Sequence, residues 1–308
     1  MRNAAINAVI EKCAARNDIF ILSGDAGLGV FDDFQKEYSD KFLNMGVAEQ
    51  NMTGFAAGMS MTGYKVIMYN IIPFLLYRCY EQIRNDICYQ KLPVVLIGIG
   101  SGITYAPQGM THYSIEDLGI VQTLPNLVVF SPVDPVEARL AAQYAIDSDK
   151  PVYLRLAKRG EPVLHTCNTF DISLPQVIKN GSEVAILFHG SISGEVLKAA
   201  NQLSMNNIDP MLISVPQIQP LNEDKIMEML SGVRHVFCVE EHYLHCGLGS
   251  ILQRIKVDRM AVWDLHLMGI PYRFIHEVKN IDAMRDSFGI SSSSIFDNIL
   301  RILEVKNG

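Results

Sequence analysis

Positive charge is scarce in this chain: 26 lysines and arginines stand against 33 aspartates and glutamates, a formal net charge of -7. Binding a phosphate backbone takes clustered basic side chains, so the composition gives no footprint for DNA or RNA. Long apolar runs are missing too. Val66 to Tyr77 and Leu92 to Ile103 are too short or too broken by glycine to span a bilayer, so no membrane segment is expected. The opening MRNAAINAVIEKCAARND reads as an amphipathic helix with charges inside it and lacks the unbroken apolar core of a secretory signal, which points to the cytoplasm. Paired cysteine spacings are absent: Cys13, Cys79, Cys88, Cys167, Cys238 and Cys246 are scattered, mostly in apolar stretches, and read as free thiols. No internal repeat or low-complexity tract breaks the pattern.

What is present suits a compact globular chain, since 49% of the 308 residues are apolar and 19% charged, enough to bury a core in each of two domains. From Ile19 to Leu156 short β-branched runs alternate with helical patterns, the mark of a parallel sheet covered by helices. Strands are expected at 19–22, 66–70, 93–97, 127–130 and 152–156, with helices at 50–61, 74–89, 115–122 and 135–147. Periodicity lapses between Lys158 and Glu183, where Gly160, Pro162, Asn168, Pro175, Asn180 and Gly181 gather. A second α/β unit follows, with strands at 184–188, 210–214 and 235–240 and helices near 194–205, 222–229 and 248–255. The fold class is therefore α/β in two domains, the first over 1–165, a linker over 166–180 and the second over 181–308.

Two segments carry candidate chemistry. In NMGVAEQNMTGFAAGMSMTG, residues 44–63, a single carboxylate, Glu49, opens a helix that is otherwise small and apolar. It is either a functional group or a first-turn acid favoured by the helix dipole by about 0.3–1 kcal/mol. In GMTH, residues 109–112, His112 follows a strand and the glycine-rich loop SGITYAPQG. Loops at the carboxyl ends of parallel strands are where α/β folds place ligands, and an imidazole titrates near neutrality. A loop histidine taken alone is as readily a surface or capping residue.

The order of blocks settles the choice between these readings. The helix with Glu49, YEQIRND at 80–86, QKLPVV at 90–95, GMTH, LPNLVVFSPVDPVEA at 124–138 and VEEHYLHCGLGS at 239–250 together resemble the transketolase family of thiamine-diphosphate enzymes, including deoxyxylulose-phosphate synthase. The resemblance covers nearly the whole chain and implies a pyrimidine-binding domain followed by the family's C-terminal domain. It implies that Glu49, expected to be buried among Val47, Phe55 and Met59, hydrogen-bonds the pyrimidine ring of the cofactor, and that His112 contacts substrate oxygens and moves protons. Asp25 in SGDAGLG matches an aspartate near the cofactor. Arg2 matches an arginine that holds a substrate phosphate, and Lys158 or Arg159 in LAKRG falls on a second one. In IIPFLLYR the candidates for contact with the pyrimidine are Phe74, Leu75, Tyr77 and Arg78, with Phe74 and Tyr77 preferred because flat rings stack best on a heterocycle.

Departures from the family's pattern point to an acceptor unlike the usual phosphorylated sugars. Gln108 stands where the family carries an aspartate that reads a substrate hydroxyl, and no basic residue stands near Gly100 and Ser101. Glu241, His242, His245 and Cys246 imitate metal ligands without a second cluster to complete a site, so no metal is assigned to this chain. Gly24, Asp25 and Ala26 with Asn51 imitate the family's diphosphate motif, but the interval contains Glu49. The diphosphate and its Mg2+ (or Ca2+) are expected on a partner chain carrying the diphosphate-binding domain, in an α2β2 assembly or a comparable one. The reaction implied is transfer of a two-carbon ketol unit from a ketose to an aldehyde. The alternatives are the β subunit of a 2-oxo acid dehydrogenase, a deoxyxylulose-phosphate-synthase-like enzyme, and a non-catalytic module that kept the fold.

Overall fold

The computed structural model describes residues 1–158 and 160–305. Arg159, one of the candidate substrate contacts, lies outside the described residues. The first sheet contains β1 (Ile19–Ser23), β2 (Phe42–Asn44), β3 (Lys65–Ile71), β4 (Val95–Ile99), β5 (Val128–Phe130) and β6 (Val152–Leu156), ordered β5-β6-β4-β3-β1-β2 and parallel throughout. A parallel sheet needs both faces covered, and the strand sequences supply apolar side chains on both. Along β3, Val66 and Met68 join a cluster with Met52, Ala56 and Ala57 of the Glu49 helix, while Ile67 and Tyr69 join Ala5, Ile6, Ala142 and Ala145 on the other side. The small side chains of helix Arg2–Ala15 and helix Pro135–Asp147 let those two helices lie together on that second face.

The second sheet contains β7 (Gln176–Lys179), β8 (Val184–Phe188), β9 (Met211–Ser214), β11 (His235–Tyr243) and β12 (Asp264–Ile270), in the order β12-β11-β8-β9-β7, with β7 alone antiparallel. β7 falls in the stretch expected as linker. Bracketed by Pro175 and Gly181, its four residues close the edge of the sheet against β9. One further strand, β10 (Gln217–Gln219), follows β9 in the chain yet pairs antiparallel with β5, adding a seventh strand to the first sheet. The Gln219 amide then donates to the backbone carbonyls of Leu124 and Leu127 at 3.0 and 2.9 Å.

The stretch 74–89, expected as one helix, is three pieces. Pro73–Tyr77 and Ile83–Cys88 are wound as π-helix around a single α-turn at Tyr80–Gln82. Such wide turns are rare and recur at functional sites.

Candidate active site

Every candidate that converges does so at the carboxyl end of the first sheet, where α/β folds leave a crevice. β1 ends into Gly24 and Asp25, β3 ends at Asn70 and Ile71, and β4 runs out into the loop that carries His112. Glu49 is the first residue of helix Glu49–Met61 and is 2% exposed. It belongs to the buried stripe Glu49, Met52, Thr53, Ala56, Ala57 and Ser60, a helical period facing the sheet. Val47 and Phe55 lie off that stripe and are 73% and 44% exposed, so the burial expected from them comes instead from the sheet.

The carboxylate of Glu49 has two partners from opposite directions. Asn70 Nδ2 donates to Oε1 at 3.1 Å from β3, and Arg78 Nη1 donates to Oε2 at 2.5 Å from the cavity side. The Arg78 guanidinium also stands over the Phe74 ring, 4.8 Å from its centroid, a cation–π arrangement. Phe74 meets His112 edge to face at 5.4 Å, and Tyr105 meets the same imidazole at 6.0 Å. The Lys158 ammonium lies 5.0 Å from the Tyr105 ring centroid. Arg2, Asp25, Glu49, Tyr69, Asn70, Phe74, Arg78 and Tyr105 line a cavity of about 350 Å³, and His112 and Lys158 stand behind its Phe74 and Tyr105 walls. Burial pushes the Tyr69 phenol up to about 12, against the pull of the Arg2 charge, so at neutral pH it stays an uncharged donor.

The placements of the remaining candidates differ. Asp25 is exposed with φ of 54°, the left-handed region that non-glycine residues seldom adopt, and its backbone N–H donates to Asn44 Oδ1 at 3.1 Å. The segment is a turn, and Asp25 is among the residues that line the cavity. Gln108 is exposed on a short turn before Gly109. Leu75 is fully buried in the core. Tyr77, preferred with Phe74 as a ring contact, turns away: its hydroxyl donates to Glu116 at 3.1 Å, and it lines a separate, largely apolar cavity of about 830 Å³ with Tyr80, Tyr243, Tyr272 and Phe274. That cavity is larger but does not contain Glu49, which lines the smaller one. Asn70, Tyr69 and Tyr105 escaped the sequence reading. A polar residue at the end of the buried run VIMYN was the available signal for Asn70.

The metal-like cluster comes apart in space. Glu241 pairs with Arg285 and accepts from Ser191, His242 Nε2 accepts from the Leu118 N–H at 3.1 Å, the His245 ring lies against Tyr272, and Cys246 packs on Gly119. Among the described residues no group of three or more histidine, cysteine, aspartate or glutamate side chains could hold a metal ion.

Comparison with known proteins accounts for this arrangement. Residues 1–161 match the transketolase pyrimidine-binding domain and residues 175–295 the transketolase C-terminal domain. The chain belongs to the transketolase family. Among relatives of this transketolase-family chain, one subunit of the apulose-4-phosphate transketolase of Actinobacillus succinogenes is 33% identical over 87% of each chain. The putative transketolase C-terminal section of Methanocaldococcus jannaschii is 29% identical over 97% of this chain and 95% of its own. The 1-deoxy-D-xylulose-5-phosphate synthase of Caldanaerobacter subterraneus is 30% identical over 87% of this chain, and the match spans 43% of that longer protein. A solved split-gene transketolase, described as an inactive β4 tetramer, superposes with a TM-score of 0.86 at 28% identity over 97% of both chains. The two domains are thus the family's pyrimidine-binding and C-terminal domains in their usual order, in a thiamine-diphosphate-dependent family.

Proposed function

We propose that this chain is one subunit of a split transketolase, moving a two-carbon ketol unit from a ketose to an aldehyde with thiamine diphosphate. The observation that carries the reading is the Glu49 carboxylate, buried at a helix start yet lining a cavity together with Phe74 and Arg78. The chemistry of that lining fits a flat, basic heterocycle: a carboxyl oxygen to share a proton with a ring nitrogen and an aromatic side chain to lie against the ring. When bound, thiamine diphosphate supplies a carbon that can hold the electron pair left by a broken carbon–carbon bond.

This chain's residues then take separate tasks. Glu49 holds the shared proton. Phe74 orients the ring. His112, steered by Phe74 and Tyr105 and with Nδ1 3.0 Å from the Thr111 hydroxyl, gives and takes protons at substrate oxygens. Arg2 and Lys158 supply positive charge for oxyanions of the substrate, Gln108 reads a substrate hydroxyl, and Asp25 serves the cofactor. The diphosphate and its Mg2+ are assigned to a partner chain that carries the diphosphate-binding domain, in an α2β2 assembly. The Actinobacillus succinogenes relative, itself one subunit of a transketolase, and the split-gene structure support that division.

Calorimetry tests it. Thiamine diphosphate with Mg2+ should bind only when this chain is mixed with a partner chain that carries the diphosphate-binding domain, and tight binding to this chain alone would overturn the split. In the mixture Glu49→Gln should leave a folded protein whose turnover falls by about 100- to 10,000-fold, the scale of a lost proton-transfer group. Near-normal turnover would sink the assignment. The likeness to deoxyxylulose-phosphate synthase favours one second reading, condensation of pyruvate with an aldehyde, which product analysis with pyruvate and glyceraldehyde phosphate separates from ketol transfer.

A further inference from the structure

The two oxygens of Glu49 are not equivalent, and the difference identifies a residue outside the roles assigned above. Oε1 faces β3. Its partner, Asn70, is 1% exposed, and the same Nδ2 also donates to the Gly24 carbonyl at 3.2 Å while Oδ1 accepts from the Ile71 N–H at 2.8 Å. With its amide oxygen and nitrogen both engaged, this side chain has one orientation open to it. Oε2 is held by Arg78, which lines the cavity and is 42% exposed on a long flexible stem. A group arriving in the cavity can displace the arginine and cannot displace the asparagine. Gly24 completes the lock, since a Cβ there would come within 2.3 Å of Asn70 Nδ2 and 3.2 Å of Glu49 Cγ.

We propose that Asn70 is a positioning residue for Glu49: it holds Oε1 from behind so that Oε2 alone is offered to the cofactor's ring nitrogen, and Arg78 covers Oε2 until the ring arrives. The proposal rests on the reading of this cavity as the pyrimidine pocket. Proton sharing across a ring nitrogen and a carboxyl oxygen requires the acceptor to be placed within hydrogen-bond reach and to stay there, and small misplacements are costly. A carboxylate at the first position of a helix, free to rotate about its side-chain bonds, would present either oxygen. Clamping one removes that freedom and costs the ring no contact.

The test uses the assembled enzyme, this chain with its diphosphate-binding partner, loaded with thiamine diphosphate and Mg2+. Two quantities are read: hydrogen–deuterium exchange at the cofactor's thiazolium C2 by quenched NMR, and cofactor affinity by calorimetry. Asn70→Ala and the isosteric Asn70→Asp should slow exchange by about 10- to 100-fold, the worth of one hydrogen bond to a charged group, while affinity changes by less than about 3-fold. Gly24→Ala reaches the same side chain from outside and should mimic them. A merely structural role would move affinity and thermal midpoint together and leave the exchange rate of the bound cofactor alone. Wild-type exchange rates in folded Asn70 and Gly24 variants would overturn the proposal. So would a structure of the loaded wild-type assembly with the Asn70 amide turned away from Glu49, which needs no variant to fold. If the wild-type mixture neither binds the cofactor nor exchanges C2, the pocket reading itself fails, and the two failures are told apart by that control.

Discussion

At the scale of single residues, the most informative titratable groups outside the candidate site are Asp134, Glu137 and His165. Glu137 is fully buried, and burial pushes its carboxyl up to about 7 against hydrogen bonds from the Ser214 hydroxyl and the Val133 N–H. Burial alone would lower the His165 imidazole, but the Asp134 hydrogen bond and the charge of Glu137 raise it. Burial would raise Asp134, yet bonds from His165 and from the N–H groups of Glu137, Leu164 and His165 hold it below its usual range. The signs of the first two agree. An unfolded Glu137 loses its proton near 4.5 and the folded one near 7, so folding is penalised as pH rises between them, and the raised histidine contributes stability below its unfolded pKa that is lost as pH rises through the folded one. The thermal midpoint of the chain should therefore fall between about pH 5 and 8, and Glu137→Gln should flatten that slope, checked by calorimetric scans across the range.

Elements show where sequence was legible and where it was not. The strand at 152–156 and the helix at 135–147 begin and end where expected, because a short run of large apolar residues just after Pro151 and an Asp-Pro start are local signals; Asp134 indeed accepts from the Glu137 N–H at 2.8 Å as the helix cap. β2, β7 and β10 are three or four residues each and mix polar with apolar side chains, so only their sheet partners define them. The candidate site divides in the same way. Glu49, Phe74, Arg78 and Arg2 come together as their motif positions suggest, whereas Tyr77 and Phe74 sit three residues apart on a π-turn whose rotation no motif encodes, and they face different cavities. The segment EEHYLHCGLGS, which looks like a ligand set, is instead a helix start: Glu240 accepts from the Leu248 and Gly249 N–H groups at 2.8 and 2.9 Å, anchoring helix Leu248–Asp258. A Cβ on Gly247 would sit 2.0 Å from that carboxylate. Gly247→Ala should cost about 2 kcal/mol or more by denaturant titration, as a broken helix cap next to a buried charge does.

At the scale of the whole molecule, buried apolar side chains run without a break across the seam between the two sheets. One apolar cluster runs from Leu96 and Val129 of the first sheet to Leu187 and Ile213 of the second. Across it Arg155, wholly buried, pairs with Asp117 at 2.7 Å and donates to the carbonyls of Ser114 at 2.9 Å and Glu241 at 3.2 Å. Removing one partner of a buried pair leaves the other charge stranded, so Arg155→Leu should destabilise the chain by about 3–5 kcal/mol and unfold both domains in one transition, as seen by urea titration with probes in each. Among the described residues no helix is long and apolar enough to cross a membrane, and all six cysteines are free thiols.

β10 bears on any attempt to dissect this chain at the level of its gene. A fragment ending before residue 217 would present β5 with its N–H and C=O groups bare along one side, a template for pairing with another molecule. A fragment beginning at residue 175 would carry three residues cut from their ladder. The sequence boundary between the two halves and the mechanical boundary lie in different places, so exchanging C-terminal halves between relatives requires matching the 217–219 segment to the acceptor's β5, a graft of backbone register as well as of domain.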